Sequence, residues 1–176
     1  MTKTSFIARV AAGAAALVVS ATASAEGTFA PELGIGWGGG KEVGIQGDRQ
    51  SMFGTAAFGY TADNGLGGRL ILIADMNIVR GAFFTQERSF DNFIGVQGTM
   101  AVPLAERLKF VGGLGIGRTH LDDGSGGASD SAIITDGLVS AGLRYRFANH
   151  YAMEALVSHL TTSDLTTATL QFQVPF

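Results

Sequence analysis

Four residues near the end of the chain have side chains that could act together in nucleophilic catalysis. They are His159, Thr161, Ser163 and Asp164. Nucleophilic catalysis needs a base that is hydrogen-bonded to the nucleophile and a third group that orients the base. In an extended strand His159 and Thr161 point to the same side, and Asp164 is the nearest acid that could serve as the third group. These residues are therefore candidates for a catalytic site. The simpler alternative is that His159 makes a surface contact and takes no part in catalysis.

Six charged residues form a second set, whose spacing predicts a buried network. In the strands predicted below, all six point inward within the same half of the molecule: Glu32, Arg69, Lys109, Arg144, Arg146 and Glu154. Charges in a narrow, poorly hydrated interior must pair, because an isolated charge there costs several kcal/mol. We expect Glu32 and Glu154 to bridge the four basic groups, and Gln171 and Gln173 to complete the hydrogen bonds. The alternative is that water in the interior solvates each charge separately.

The composition excludes several other kinds of site. The full chain has 12 basic and 15 acidic residues, and this balance argues against a nucleic-acid partner, which needs a basic surface. The chain has no cysteine and only three scattered histidines, so disulfides, thiolate metal sites and structural zinc are not expected. In the glycine-rich segment 34–42, Ile35 and Glu42 occupy positions where a phosphate-binding loop needs Gly and Ser or Thr. We expect neither a metal nor a cofactor.

The first 25 residues have the features of a secretory signal peptide. Lys3 and Arg9 give a positive beginning, residues 10–19 are apolar, and Ala23-Ser24-Ala25 offers small residues to a signal peptidase. The apolar run is too short to span a membrane as a helix, which needs about 20 residues. We therefore predict a signal peptide at 1–25 and one mature domain at 26–176.

The mature sequence repeats a two-residue alternation of side-chain character eight times. Its apolar stretches are too short for membrane helices, so a membrane protein of this sequence must cross with strands. In each segment apolar residues occupy one parity and small or polar residues the other, although Ile71 and Ile73 depart from this rule. The segments are 29–37, 51–62, 66–77, 90–102, 108–117, 133–147, 151–158 and 167–176. The pattern predicts an all-β fold, a closed eight-stranded antiparallel up-and-down transmembrane β-barrel.

The connections and the aromatic residues predict how this barrel is oriented. Short turns near residues 63–65, 103–107 and 148–150 alternate with longer connections at 38–50, 78–88 and 121–131. Short turns lie on the periplasmic side of such barrels, which also places both termini there. Seven aromatic residues that begin or end strands predict a girdle at this membrane interface, with Trp37 and Phe90 at the outer rim. The seven are Phe29, Tyr60, Phe110, Tyr145, Phe147, Tyr151 and Phe176.

The segment 102–115, the strand pattern and the aromatic last residue together resemble one class of membrane protein. The segment reads VPLAERLKFVGGLG, and residues 170–176 alternate as a closing strand would. The chain resembles the small eight-stranded outer-membrane barrels, OmpA/OmpX-like and opacity-protein-like, over nearly all of the mature sequence. The resemblance implies the fold, a location in the outer membrane of a Gram-negative bacterium, and contact of the C-terminal strand with the barrel-assembly machinery. It does not imply a reaction.

The expected function follows from the loops and from outward-facing polar residues. We expect a monomeric structural or surface-interaction protein that acts through its extracellular loops, with a lumen blocked by the charged network. Apolar residues in the loop 78–88 are a candidate contact for a surface ligand, and packing of this loop onto the barrel rim is the alternative. Arg118 and His120 point outward near the outer end of a strand and are candidate contacts for lipopolysaccharide phosphates.

A lipid-modifying enzyme and a small pore are the two alternative functions. Lipid A deacylases are similar in being eight-stranded barrels with a lipid-facing His-x-Ser pair on a late strand and a later acid. In this chain His159-Leu160-Thr161 has Thr in place of Ser, and no Glu follows Glu154. The pore alternative needs an open lumen, whereas a barrel of eight strands is only wide enough for its own side chains to fill. The sequence favours a closed barrel without catalytic activity.

Overall fold

The computed structural model describes residues 27–40, 51–76, 89–122, 132–148 and 151–174. The predicted signal peptide 1–25, the loop 78–88 and Phe176 lie outside these residues. Eight strands account for most of the described chain. They are β1 (Gly27–Gly40), β2 (Ser51–Ala62), β3 (Leu66–Asp75), β4 (Ser89–Pro103), β5 (Leu108–Asp122), β6 (Ala132–Ala148), β7 (Tyr151–Leu160) and β8 (Leu165–Gln173).

The strands form a closed antiparallel barrel. Each strand pairs with the next one in the sequence, and β8 pairs back with β1 from Glu32↔Gln173 to Gly40↔Leu165. This confirms the predicted fold class. No helix in the described part of the chain has the length and apolar character needed to cross a membrane.

The two ends of the barrel differ in their connections. We call the end that carries the β2–β3, β4–β5 and β6–β7 connections the turn end, and the opposite end the loop end. At the turn end Gly65 has φ +84°, which L side chains rarely adopt, and its N–H donates to the Ala62 carbonyl. The Asn64 side chain accepts a hydrogen bond from the Leu66 N–H, and this contact closes the β2–β3 turn. The sequence predicts that the turn end faces the periplasm.

The outer wall is apolar, as the alternation predicts. Leu33 is 69% exposed and Leu114 61% exposed, and their neighbours in sequence point into the barrel. A continuous band of this kind is unfavourable in water and matches the hydrocarbon of a membrane. The wall is therefore the face of a transmembrane barrel, and its inward-facing residues are the ones free to form a site.

Apolar side chains fill the loop-end half of the lumen, which corrects the expectation that inward residues are small or polar. Phe53, Phe93 and Leu165 are completely buried there. We call the whole cluster the apolar layer, and its members are Phe53, Ile71, Ile73, Phe90, Phe93, Leu121, Leu138, Leu160 and Leu165. Glycines make room for it, because a Cβ at Gly95 or Gly117 would lie only 2.5 or 2.6 Å from the Phe93 ring. The lumen is therefore a packed core at this end.

The prediction that Phe90 marks the outer rim is wrong. The β4–β5 register shifts between Phe90 and Asn92, so Phe90 pairs with Leu121 while Asn92 pairs with His120. The extra residue, Asp91, reverses which face Phe90 occupies. Phe90 consequently points into the barrel and packs edge-on against Phe53, with ring centroids 5.6 Å apart.

Candidate functional site

Glu154 is the centre of a set of paired charges in the turn-end half of the lumen. It lies on β7, and its carboxylate is fully buried. One carboxylate oxygen, Oε1, lies 3.0 Å from Arg69 Nη1, and the other, Oε2, lies 2.8 Å from Arg144 Nη2. Gln173 also donates to Oε2, at 3.1 Å. One buried acid thus joins side chains from β3, β6 and β8.

Arg69 extends this set across the lumen. Its Nη1 lies 2.8 Å from Glu32 Oε2, and its Nε donates to Gln97 Oε1 at 2.6 Å. Gln97 in turn donates to the Ser140 hydroxyl at 2.7 Å. We call these residues the ionic layer: Glu32, Arg69, Gln97, Ser140, Arg144, Glu154 and Gln173. Two glutamates balance two arginines, so the layer is electrically neutral without an added ion.

Small residues opposite the ionic layer give its long side chains the space that they need. A Cβ at Gly59 would lie 3.3 Å from both Arg69 Cβ and Glu32 Oε1, and a Cβ at Gly113 would lie 2.6 Å from Gln97 Nε2. Gly59 is the β2 partner of Arg69, and Gln97 is its β4 partner. The glycine positions of the sequence therefore determine where a charged side chain can cross the lumen.

The structure brings together four of the six charged residues predicted to form the lumen network. Glu32, Arg69, Arg144 and Glu154 are paired, whereas Lys109 and Arg146 make no ion pair with any described residue. Both line a cavity at the turn end, below the ionic layer. Of the two glutamines expected to complete the network, Gln173 does so, while Gln171 Oε1 is buried without a hydrogen bond among the described residues.

The four candidate catalytic residues are not assembled into one site. His159 Nδ1 shares a hydrogen bond with Thr166 Oγ1 across β7 and β8, at 3.0 Å. The Thr161 N–H donates to the carbonyl of Gly137 on β6, one residue beyond the last β6–β7 pair. Ser163 is fully buried, and Asp164, with φ +51°, belongs to the tight β7–β8 turn. His159 therefore faces lipid beside Thr166, while Ser163 points into the barrel.

Asp136 explains the position of Ser163, and sequence reasoning did not single it out as a site residue. Its carboxylate is fully buried and accepts hydrogen bonds from the Ser163 hydroxyl at 2.6 Å and from the Thr119 hydroxyl at 3.1 Å. It also accepts from the N–H groups of Thr162 at 2.7 Å and Ser163 at 3.1 Å. The β7–β8 turn is thus fastened to β6. An inward acid opposite a Thr-Ser turn was the sequence signal that could have indicated this contact.

The predicted aromatic girdle residues that the structure describes lie toward the turn end. Phe29 and Tyr60 are partners across β1 and β2, with ring centroids 4.8 Å apart. Tyr145 and Phe147 lie 5.0 Å apart on β6, Tyr151 stacks on Phe172, and Phe110 faces outward on β5.

Arg118 and His120 lie near the loop end of β5. Arg118 is exposed on the outer wall between Ile94 and Thr135, and His120 is half-buried between Asn92 and Ile133. Both residues therefore lie toward the loop end of the apolar outer wall. The described residues contain no group of three or more His, Cys, Asp or Glu side chains that could hold a metal ion.

Solved structures match this arrangement of strands. Neisserial surface protein A (NspA) aligns with a TM-score of 0.64 and 12% identity, covering 87% of this chain and 99% of that chain. Ail, the attachment invasion locus protein of Yersinia pestis, aligns with a TM-score of 0.57 and 20% identity, covering 86% and 99%. The fold is that of the small outer-membrane barrels. No family model and no curated protein matches the sequence.

Membership in this fold class does not carry a function with it. A transmembrane β-barrel designed de novo aligns with a TM-score of 0.55 and 13% identity, covering 85% of this chain and 96% of that chain. A designed barrel and two bacterial proteins thus share the architecture. Function has to be argued from the residues of the barrel itself.

Proposed function

We propose that this outer-membrane barrel is a structural or surface-interaction protein with a closed lumen, and that it acts through its extracellular loops. The observation that supports the proposal is the filling of the lumen by two stacked layers, one apolar and one ionic. Leu138 and Glu154 represent them, and each is buried inside the barrel. Because a filled lumen offers no path through the barrel, a partner can bind only the outer surface or the connections between the strands. Ail, named for attachment and invasion, has the same fold and gives a precedent for a surface role.

Ion conductance tests whether the lumen is closed. The purified protein in a planar bilayer should show no steady conductance. Glu154→Ala should also stay closed, because the apolar layer remains in place above the ionic layer. Glu154→Ala combined with Phe93→Ala removes a member of each layer and should conduct above both single variants. Large, stable conductance from the unmodified protein would contradict the proposal and favour the pore.

Analysis of lipid A tests the proposal against the alternative that the protein is a lipid A-modifying enzyme. The Ser163 hydroxyl donates to Asp136 inside the barrel, and the lipid-facing His159 pairs with Thr166. Neither arrangement supplies a nucleophile, a base and an orienting acid in one place. Mass spectrometry of lipid A from cells with and without the protein should give identical acyl patterns. A lost or gained acyl chain that depends on His159 would establish the enzyme.

We propose that Arg118 and His120 contact the phosphates of lipopolysaccharide. An exposed arginine at the loop end of the apolar band has the charge and geometry for phosphate. Arg118→Gln should weaken retention of lipopolysaccharide on the purified barrel, measured by native mass spectrometry. The matched control is Arg107→Gln at the turn end, which should leave retention unchanged.

We also propose that the mature chain is exported after cleavage of residues 1–25, inserts as a monomer, and presents its C-terminal strand to the barrel-assembly machinery. The support is the sequence pattern of the leader and the position of β8 as the strand that closes the barrel. Phe176→Ser should lower the amount of folded, heat-modifiable protein in outer-membrane fractions. Unchanged amounts would contradict a signal at the last residue.

A further inference from the structure

A cavity of about 250 Å³ opens at the turn end of the lumen, below the ionic layer. Its lining includes four basic residues, Arg107 in the β4–β5 turn, Lys109 on β5, and Arg144 and Arg146 on β6. Thr28, Thr61 and Gln173 are the neutral polar residues of this lining, and Asp63 and Glu106 are its acids. We call this cavity the vestibule. It has space for a small solute with several hydrogen-bond acceptors.

The acids of the ionic layer do not balance Lys109 and Arg146, two of the basic residues that line the vestibule. Glu154 and Glu32 are already balanced by Arg144 and Arg69 in the ionic layer. Within the described residues, no carboxylate forms an ion pair with Lys109 or Arg146. The acids Asp63 and Glu106 line the rim of the vestibule and are exposed to solvent. Arg107 lies at the same exposed rim. Lys109 and Arg146 therefore add two positive charges without an ion pair to the lining of a cavity whose upper wall is neutral.

The strand register places these like charges side by side. Lys109 is the direct cross-strand partner of Arg144, and Arg146 lies two residues further along the same face of β6. Like charges directly opposite each other destabilise a sheet. An anion held between them converts that repulsion into charge-assisted hydrogen bonds. The Arg144 side chain, although paired with Glu154, remains 16% exposed and contributes to the same positive field.

We propose that the vestibule binds one small anion of the phosphate class from the aqueous phase. Lys109 and Arg146, which have no ion pair, favour a doubly charged anion over a single carboxylate, and arginine guanidinium groups match the oxygens of phosphate in pairs. Strands wall the cavity on its sides and the ionic layer closes it above, so the anion enters from the turn end. The site is independent of the surface role proposed above, because it uses none of the extracellular connections.

Calorimetric titration of the refolded full chain with inorganic phosphate tests this site, in a non-ionic detergent at low salt. We expect saturable binding of one phosphate per barrel. Lys109→Gln and Arg146→Gln should each weaken it by about tenfold or more, as expected for the loss of a charge-assisted hydrogen bond. Lys109→Arg keeps the charge and should keep the binding. Sulfate should compete with phosphate, and methylphosphonate, another small dianion, should bind as well.

The matched control is Lys41→Gln, which removes one positive charge at the residue that follows β1 in the sequence and should leave phosphate binding unchanged. Heat-modifiable mobility on a gel verifies that each variant is folded, and the exposed Arg146 is the position least able to disturb folding. Titration of the unmodified protein without saturation would overturn the proposal. So would equal weakening by Lys41→Gln and Arg146→Gln, because that result shows a response to net charge alone.

Discussion

The apolar layer and the ionic layer occupy the two halves of one lumen. Both are built on strands whose side chains alternate between the inside and the outside of the barrel. The apolar layer is made of side chains that need only volume and contact, such as Phe93 and Leu138. The ionic layer is made of side chains that need particular partners at particular atoms, and Glu154 alone accepts from three residues. The loop-end half therefore resembles the core of a soluble protein, and the turn-end half resembles a buried charge network.

Because of this difference, substitutions in the two layers should lower stability for different reasons. A buried apolar side chain contributes about 1.5–3 kcal/mol by leaving water, whatever its exact neighbours are. A buried ion pair contributes little in sum, because desolvation offsets the attraction, yet removal of one partner leaves a charge that nothing balances. The ionic layer should accordingly be sensitive to which charge is removed, and the apolar layer to how much volume is removed.

Glu154→Ala should have the largest effect on stability. It leaves Arg144 without its acid and Arg69 with only Glu32, so we expect the free energy of unfolding to fall by about 3–5 kcal/mol. Urea unfolding in lipid vesicles measures this change. The control is Glu106→Ala in an exposed turn, which should change stability by less than about 0.5 kcal/mol. Equal effects of the two substitutions would contradict a buried charge network.

Leu138→Ala tests the apolar layer in the same assay. Leu138 is buried on β6, and its truncation leaves a cavity, so we expect a loss of about 2–4 kcal/mol. Leu138→Met nearly conserves the volume and should lose less than about 1.5 kcal/mol. If methionine were as damaging as alanine, volume would not be the property that matters in this layer.

The sequence predicts the fold and the centre of the ionic layer because both depend only on which face a residue occupies. Alternation separates the faces wherever one is apolar and the other polar, and it places Glu32, Arg69 and Glu154 inside. Alternation cannot separate the two faces of a strand where both are apolar, as at Ile71, Leu72 and Ile73. The sequence therefore does not predict the apolar layer.

The remaining differences between the sequence prediction and the structure have geometric causes. The alternation of residues along a strand gives no information about these causes. The β-bulge beside Asp91 moves Phe90 to the other face, and no sequence period records an extra residue. The separation of Lys109 from the network depends on depth, which follows from the stagger between neighbouring strands. The alternation of residues 133–147 places Asp136 on the inward face, but its contacts depend on how the β7–β8 turn folds over the rim.

A second substitution, added to the first one in each layer, should change stability in opposite directions in the two layers. Adding Arg144→Ala to Glu154→Ala removes the unbalanced charge and leaves the neutral pair of Arg69 and Glu32. The double variant should therefore recover about 1 kcal/mol relative to Glu154→Ala alone. Adding Leu160→Ala to Leu138→Ala should lower stability further, because a second cavity joins the first. Further loss in both pairs would show that the ionic layer also responds to volume alone.

The smallest expected effect is the coupling between distant parts of the two layers. Phe90 packs on Phe53 at the loop end, whereas the ionic layer meets β4 at Gln97, seven positions further along the strand. At the rise of a β-strand this separation is about 20 Å, well beyond the range over which substitutions interact. The losses caused by Phe90→Ala and Glu154→Ala should therefore add to within about 0.5 kcal/mol in a double-mutant cycle. A larger coupling would mean that the barrel wall transmits strain from one layer to the other, and that the two halves of the lumen behave as a single core.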